Sequence, residues 1–332
     1  LWPTAAPRCK DAHGSMEELN KHTEFLTVKV KTMSVTAHIN QNALLISPSA
    51  WPASPSEPLS QRLAHALFCA PEQFSVHYQP IWDLTENTRP IAYEALARWS
   101  SPCGAGPNEF IPLLALRPIW RRRFNAILIE RLIMDVQRML HQGLTVSHVS
   151  MNITYSDLAE PHFVQCLLTQ TERCPDIRSR LILEITETEL ITHTPKFMAN
   201  VLRLKNAGIA LALDDFGQGY ANIQSLAMPM LSIIKLDKCL IDNIEHCHTA
   251  YLALQKVIEL CQTFHHKVVI EGVETVRQTQ LISAMNMPNV WVQGYYYAKP
   301  LSLQEINTRY ARTIQREGLS PQLSHYSCVV CI

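Results

Sequence analysis

Residues 209–220 read IALALDDFGQGY, an apolar run that ends on two adjacent aspartates and two closely spaced glycines. Successive side chains on a strand point to opposite faces, so Asp214 and Asp215 can meet at one site only if the chain turns between or just after them. Gly217 and Gly219 permit that turn. Neighbouring carboxylates repel, and a divalent cation is the economical way to neutralise the pair. Further ligands are therefore expected elsewhere in the chain.

Seven other stretches read as strands, at 74–84, 91–99, 146–154, 180–186, 233–237, 267–272 and 290–297, with 209–216 as the eighth. Amphipathic helical patterns fall between most of them, at 121–142, 156–173, 194–207, 220–227, 249–265 and 275–286. A strand–helix alternation of this extent predicts a closed (β/α)₈-type TIM barrel, whose usual length is about 250 residues. An open doubly wound sheet is the competitor, but no GxGxxG opens any of the helices, which counts against its dinucleotide-binding form.

The chain has 332 residues, 47% hydrophobic and 17% charged, enough apolar material for one large domain, alone or with a small appendage. Residues 1–60 show weak periodicity and close on the Pro/Ser-rich SPSAWPASPSEPLS, which reads as a leader and linker; 61–310 is the expected barrel and 311–332 a tail. With 29 basic and 29 acidic residues, no global field argues for DNA, RNA or an anionic membrane. No run approaches about 18 apolar residues, so no membrane span is expected. The ten cysteines are scattered, which suggests reduced thiols and a cytoplasmic protein. Cys328–Cys331 is a lone CxxC that reads as tail rather than as a zinc or redox site.

Polar residues interrupt nearly every apolar strand: Glu94, Asn152, Glu184, Asp214, Asp215, Lys235, Asp237, Glu271 and Gln293. Burying so many charges without partners is prohibitive, and barrel strands present such groups at their C-terminal ends, where active sites of that fold sit. Oxygen ligands without a matching His or Cys set favour Mg²⁺ or Mn²⁺ over zinc. One ion would use Glu94, Asn152, Glu184 and Asp214; a second would share Asp214 and add Asp215 and Glu271. Two such ions about 3.5–4 Å apart suit in-line displacement at a phosphodiester. Lys235 and Asp237 are expected on one strand face, with the lysine losing basicity and orienting or deprotonating the attacking water. Gln293 could position the same water, and Arg98, four residues after Glu94, suits a forked phosphate contact.

YEALARW (93–99), Asn152, EITE (184–187), DDFGQGY, KLD (235–237), EGVET (271–275) and QGYYYAKP (293–300) resemble, in order, the signature of the EAL-domain cyclic di-GMP phosphodiesterases, over about residues 74–307. The resemblance implies a modified TIM barrel with one antiparallel strand and two Mg²⁺ or Mn²⁺ ions. It also implies hydrolysis of cyclic di-GMP to linear pGpG and a homodimer coupled to the 214–222 loop. It assigns the metal ligands named above, gives Glu94, Lys235, Gln293 and Glu271 to catalysis, and places Gln79, Leu96, Arg98, Asp237 and Glu274 against the substrate. Glu187 resembles the glutamate that steadies the DDFG loop. Ca²⁺, with a looser coordination sphere, is expected to bind and inhibit.

The departures are Gln218 for the usual Thr, Ala221–Asn222 for a Ser pair, Ile270 for Ala, and LALRPIWRRRF after FIPL in place of an acidic, glycine-containing stretch. None removes a ligand. Arg121–Arg123 read as a solvated face at a helix start, and His265–His266 as a turn. The alternative function is a catalytically silent cyclic di-GMP receptor or protein-interaction module on the same fold.

Overall fold

The computed structural model describes residues 58–85, 89–101, 104–186, 194–218 and 223–311, all within one unit that spans Pro55–Glu317. Helix α1 (Leu59–Cys69) leads into β1 (Phe74–Asp83), and β2 (Ala92–Trp99) returns beside it. The linker 84–91 is too short for a crossover of about a dozen residues, so the pair must be antiparallel. Asp83 accepts from the Thr85 backbone N–H and hydroxyl at 2.8 and 2.7 Å and starts the turn.

After α2 (Pro107–Ala115) and α3 (Pro118–His141) the chain alternates strand and helix: β3 (Val149–Asn152), α4 (Tyr155–Ala159), α5 (Pro161–Glu172), α6 (Pro175–Arg178), β4 (Leu181–Thr186), α7 (Pro195–Asn206) and β5 (Ala210–Phe216). It continues with α8 (Ile223–Leu226), β6 (Leu231–Leu236), α9 (His248–Thr263), β7 (Lys267–Ile270), α10 (Val276–Ala284), β8 (Val290–Val292), β9 (Leu301–Ser302) and α11 (Leu303–Tyr310). Strands β2 to β8 pair in parallel, and β1 closes the barrel by pairing antiparallel with both β2 and β8; the short β9 adds to β1. All eight expected strands are present, and the reversed strand is β1.

Three apolar clusters hold this together. Ile81, Ala92, Ile182, Ala212, Ile233, Val269 and Trp291 fill one end of the barrel interior. A larger cluster, including Val149, Leu183, Leu213, Ile234 and Ile270, lies between strands and helices. Phe74, Trp99, Phe110 and Phe124 form a third beside α1 and α2, with Phe74 and Phe124 ring centroids 5.5 Å apart. With the barrel interior closed by apolar side chains at one end, polar groups can gather only at the other.

Some expected bounds shift for local reasons. The 156–173 helix is two helices, because Pro161 has no N–H to continue α4 and instead starts α5. The last strand ends at Val292, five residues early, where Gly294 lies against Val273; a Cβ on Gly294 would sit 2.1 Å from the Val273 carbonyl oxygen. Of Arg121–Arg123, Arg122 and Arg123 are exposed as expected, although Arg122 pairs with Glu160 and Arg123 Nε donates to the Leu67 carbonyl, whereas Arg121 turns in and pairs with buried Asp157 at 2.6 Å. Arg121 alone exchanges solvent for a buried partner on a neighbouring element. His265 does occupy a turn with φ 64°, whereas His266 is buried and bonded to the Leu226 carbonyl at 2.7 Å. Residues 1–57, Glu187, 219–222 and the Cys328–Cys331 pair lie outside the described residues.

Candidate active site

The side chains expected to gather do so around Lys235, on β6. Its Nζ lies 2.7 Å from Glu271 Oε1, 2.9 Å from Asp214 Oδ1, 3.0 Å from Glu184 Oε2 and 3.4 Å from Glu94 Oε2, with the lysine 1% exposed. Four elements thus deliver carboxylates to one ammonium. Glu94 comes from β2, Glu184 from β4 and Asp214 from β5, while Glu271 follows β7 with its backbone N–H on the Leu236 carbonyl at 3.0 Å.

Glu94 is held on both oxygens. Asn152 Nδ2 donates to Oε1 at 2.9 Å and Gln293 Nε2 to Oε2 at 2.7 Å. Burial would push this carboxyl up; the Lys235 charge and the two amide donors outweigh burial and hold it below the usual range. Glu184 goes the other way: burial, with Glu94 and Asp214 nearby, raises it well above the ordinary value against the pull of Lys235. Burial likewise raises Glu271 to about 8, helped by Asp214 and Glu94. Asp215 is raised by burial and then by Asp214.

The two aspartates converge by a route the glycines did not reveal. Asp215 itself adopts φ 57°, and the β5–β6 register shifts between Leu213 and Phe216. A bulge at the strand end therefore re-aims consecutive side chains, and Asp is among the few residues that accept this left-handed conformation at modest cost. One oxygen each from Asp214, Asp215 and Glu271 lies within 4.8 Å of the others. Such an all-oxygen set fits a hard divalent cation, and the buried Gln293 Oε1 beside it lacks a hydrogen-bond partner.

These groups line a cavity of about 420 Å³ together with Gln79, Leu96, Lys238, Glu274 and Tyr295. Gln79 faces Glu94 across the β1–β2 ladder and its Nε2 reaches the Ala298 carbonyl at 3.4 Å. Glu274 sits at the mouth and pairs with Lys238 at 2.6 Å. Lys238 and Tyr295 had no place in the sequence reading. The lysine lies one residue past KLD, where a polar residue in a turn carries no periodic signal.

Three residues sit in surroundings that their spacing did not show. Around Lys235 in the metal-free cluster, burial lowers the basicity, but Asp214, Glu184, Glu271 and Glu94 together raise it well above the ordinary lysine value; the expected loss of basicity belongs to the metal-loaded site. Asp237 does not share its strand face, because β6 ends at Leu236; Asp237 Oδ1 instead caps the following 3₁₀ turn by accepting from the Cys239 N–H at 2.9 Å. Arg98 lines a neighbouring cavity of about 270 Å³ with Leu96 and Asn152, and its Nη1 donates to the Ala97 carbonyl at 2.9 Å. Partial burial lowers its basicity somewhat.

A closed barrel of eight strands with one reversed, carrying a carboxylate cluster at one mouth, defines the class of protein. A family model described as EAL domain matches residues 60–300, and the chain belongs to that family. Cyclic di-GMP phosphodiesterase NbdA of Pseudomonas aeruginosa is 30% identical over 70% of this chain and 29% of its own length. Probable cyclic di-GMP phosphodiesterase PdeB of Escherichia coli is 30% identical over 69% of this chain and 43% of its own. The chain thus spans less than half the length of these two relatives. A solved structure of PaMucR phosphodiesterase in complex with c-di-GMP superposes with a TM-score of 0.63 at 26% identity, covering 74% of this chain and 99% of that one.

Among the described residues no helix is long and apolar enough to cross a membrane, and Cys69, Cys166, Cys174, Cys239, Cys247 and Cys261 are free thiols.

Proposed function

We propose that this chain hydrolyses cyclic di-GMP to linear pGpG by attack of water on one phosphodiester, with residues 61–310 as the catalytic unit. The observation that carries the reading is the convergence of Asp214, Asp215 and Glu271 oxygens within 4.8 Å, beside Lys235, in a member of the EAL domain family. The names of NbdA and PdeB support the substrate class.

Glu94, Asn152, Glu184 and Asp214 would hold one divalent cation, and Asp214, Asp215 and Glu271 a second, either Mg²⁺ or Mn²⁺. Bound there, such cations supply acidity to a water and stabilise charge on the entering and leaving oxygens. Lys235, within ion-pair distance of Glu94, Glu184, Asp214 and Glu271, would orient the attacking water or take its proton. Gln293 fixes Glu94 through its amide N–H and offers its buried Oε1 to the same water. Gln79 and Glu274 at the cavity wall, and Leu96 between the two cavities, contact the rest of the substrate. Arg98 reaches a substrate phosphate only by leaving the Ala97 carbonyl, a side-chain rotation that binding would have to drive.

The test is chromatographic: purified protein with Mg²⁺ or Mn²⁺ converts cyclic di-GMP to pGpG, Ca²⁺ supports binding without turnover, and Glu94→Ala abolishes turnover. Binding of the nucleotide without any product in Mg²⁺ or Mn²⁺ would instead identify a receptor. The homodimer is part of the same proposal, through the 214–222 segment, and sedimentation at micromolar concentration that gives only a monomer removes it.

A further inference from the structure

Five carboxylates line the acidic cavity (Glu94, Asp214, Asp215, Glu271 and Glu274) against two ammonium groups, Lys235 and Lys238. Lys235 is 1% exposed and lies within ion-pair distance of Glu94, Glu184, Asp214 and Glu271, so its charge is spent inside. Among the described lining residues, Lys238 is the remaining cation, and it stands at the mouth. Its side chain is 45% exposed and Nζ lies 2.6 Å from Glu274 Oε1, itself 47% exposed. A rim pair of this exposure contributes little to stability, so stability does not account for how firmly it is placed.

The backbone on either side of the pair is held in place. The stem crosses Gly272, where an added Cβ would lie 2.5 Å from Lys238 Cβ and 2.7 Å from Cγ. The 3₁₀ turn Lys238–Leu240 is capped by Asp237, and Cys239 Sγ donates to the Gly217 carbonyl at 3.2 Å. On the opposite side, Glu274 sits on a backbone whose N–H is held by Gln278 Oε1 at 2.8 Å, in the capping box of α10. Both backbones are therefore held, one beside each acid-bearing loop. An ammonium has three donors, so Lys238 can keep Glu274 and still present hydrogen to an anion at the cavity mouth.

We propose that Lys238 is a specificity-determining contact for a non-bridging phosphate oxygen of the dianionic dinucleotide, with Glu274 positioning it. The inference rests on the phosphodiesterase reading above. Lys238→Met keeps the stem over Gly272 and removes the charge. It is expected to raise KM for cyclic di-GMP about tenfold with kcat changed less than about twofold, the signature of lost uniform binding. Lys238→Arg restores KM to within about threefold, and the rise of wild-type KM between about 50 and 300 mM salt is flatter in Lys238→Met. Lys238→Gln replaces Lys238→Met if the latter's thermal melt shows that it does not fold.

An unchanged KM with an unchanged salt slope overturns the proposal, and so does a fall in kcat alone, which would make Lys238 a structural clamp. If the wild type gives no turnover, the phosphodiesterase reading fails separately. The contact is then read from cyclic di-GMP affinity in Ca²⁺, where about a tenfold loss in Lys238→Met supports it and equal affinity, or no binding by either protein, overturns it.

Discussion

Lys235 Nζ lies 2.7 Å from Glu271 Oε1, closer than to any of the other three carboxylates around it. The two residues come from adjacent elements, and their pairing ties the end of β6 to the loop after β7. Removing the ammonium by Lys235→Met leaves the acids facing one another without a buried counter-charge. Loss of one partner from a buried pair typically costs about 3–5 kcal/mol, which urea unfolding of metal-free protein would register. Turnover is expected to fall about 10²-fold or more. Near-wild-type unfolding and turnover would show that Lys235 is neither counter-charge nor catalytic.

The raised carboxyls make metal-free stability depend on pH with a definite sign. Glu271 titrates near 8 in the fold and near 4.5 when unfolded, and Glu184 and Asp215 are shifted in the same direction. In that window the folded state holds more protons than the unfolded state, so these groups' stabilising contribution is complete below about pH 4.5 and is lost as pH rises through about 8. Glu94 is shifted the other way, and its contribution is already in place across this window. In EDTA, Tm should therefore fall between pH 5.5 and 8.5. Mg²⁺ or Mn²⁺, which bind deprotonated ligands, should raise Tm most at the alkaline end. A Tm in EDTA that is flat or rising over that range would contradict the assignment.

Asp215 joins a backbone requirement to a chemical one. At φ 57° the position tolerates Asp or Asn far better than a β-branched residue. Asp215→Asn should keep the melting temperature and lose metal-dependent turnover, while Asp215→Val should also lose about 1–3 kcal/mol of stability. Calorimetry alongside the product assay separates the two effects; equal stability of the variants would mean that the bulge is not under local strain.

Gly294 is a contact rather than a hinge. A Cβ there would meet the Val273 carbonyl oxygen at 2.1 Å and its nitrogen at 2.3 Å, both backbone atoms that have little room to yield. Gly294→Ala should cost about 2–4 kcal/mol by forcing apart the loops after β7 and β8. Because Gln293 is the preceding residue, its hydrogen bond to Glu94 should be disturbed too, lowering kcat in any variant that still folds. Chemical denaturation and steady-state kinetics check both.

The eight strands were legible because each is a short apolar run bounded by polar punctuation, and the acids because each interrupts or follows such a run. Glu94, Glu184, Asp214 and Glu271 are the clearest cases. Less legible was anything beyond the last regular residue of a strand. Asp237 looked like a partner of Lys235 by its spacing, but β6 had already ended and its carboxylate caps a turn. Arg121 looked solvated like its two neighbours because its partner, Asp157, is remote in sequence.

By itself, then, the sequence determined which residues could be ligands, that they ride on strands of a closed barrel, and which family they match. Periodicity and residue type are local properties, and they suffice for that. Only the tertiary structure decided that Asp215 turns through its own positive φ, that Lys235 lies among four acidic side chains, and that Lys238 meets Glu274 at the mouth. Each of these is a distance between groups on different elements, or a backbone angle imposed by neighbouring strands, and neither is written in the order of residues along one strand.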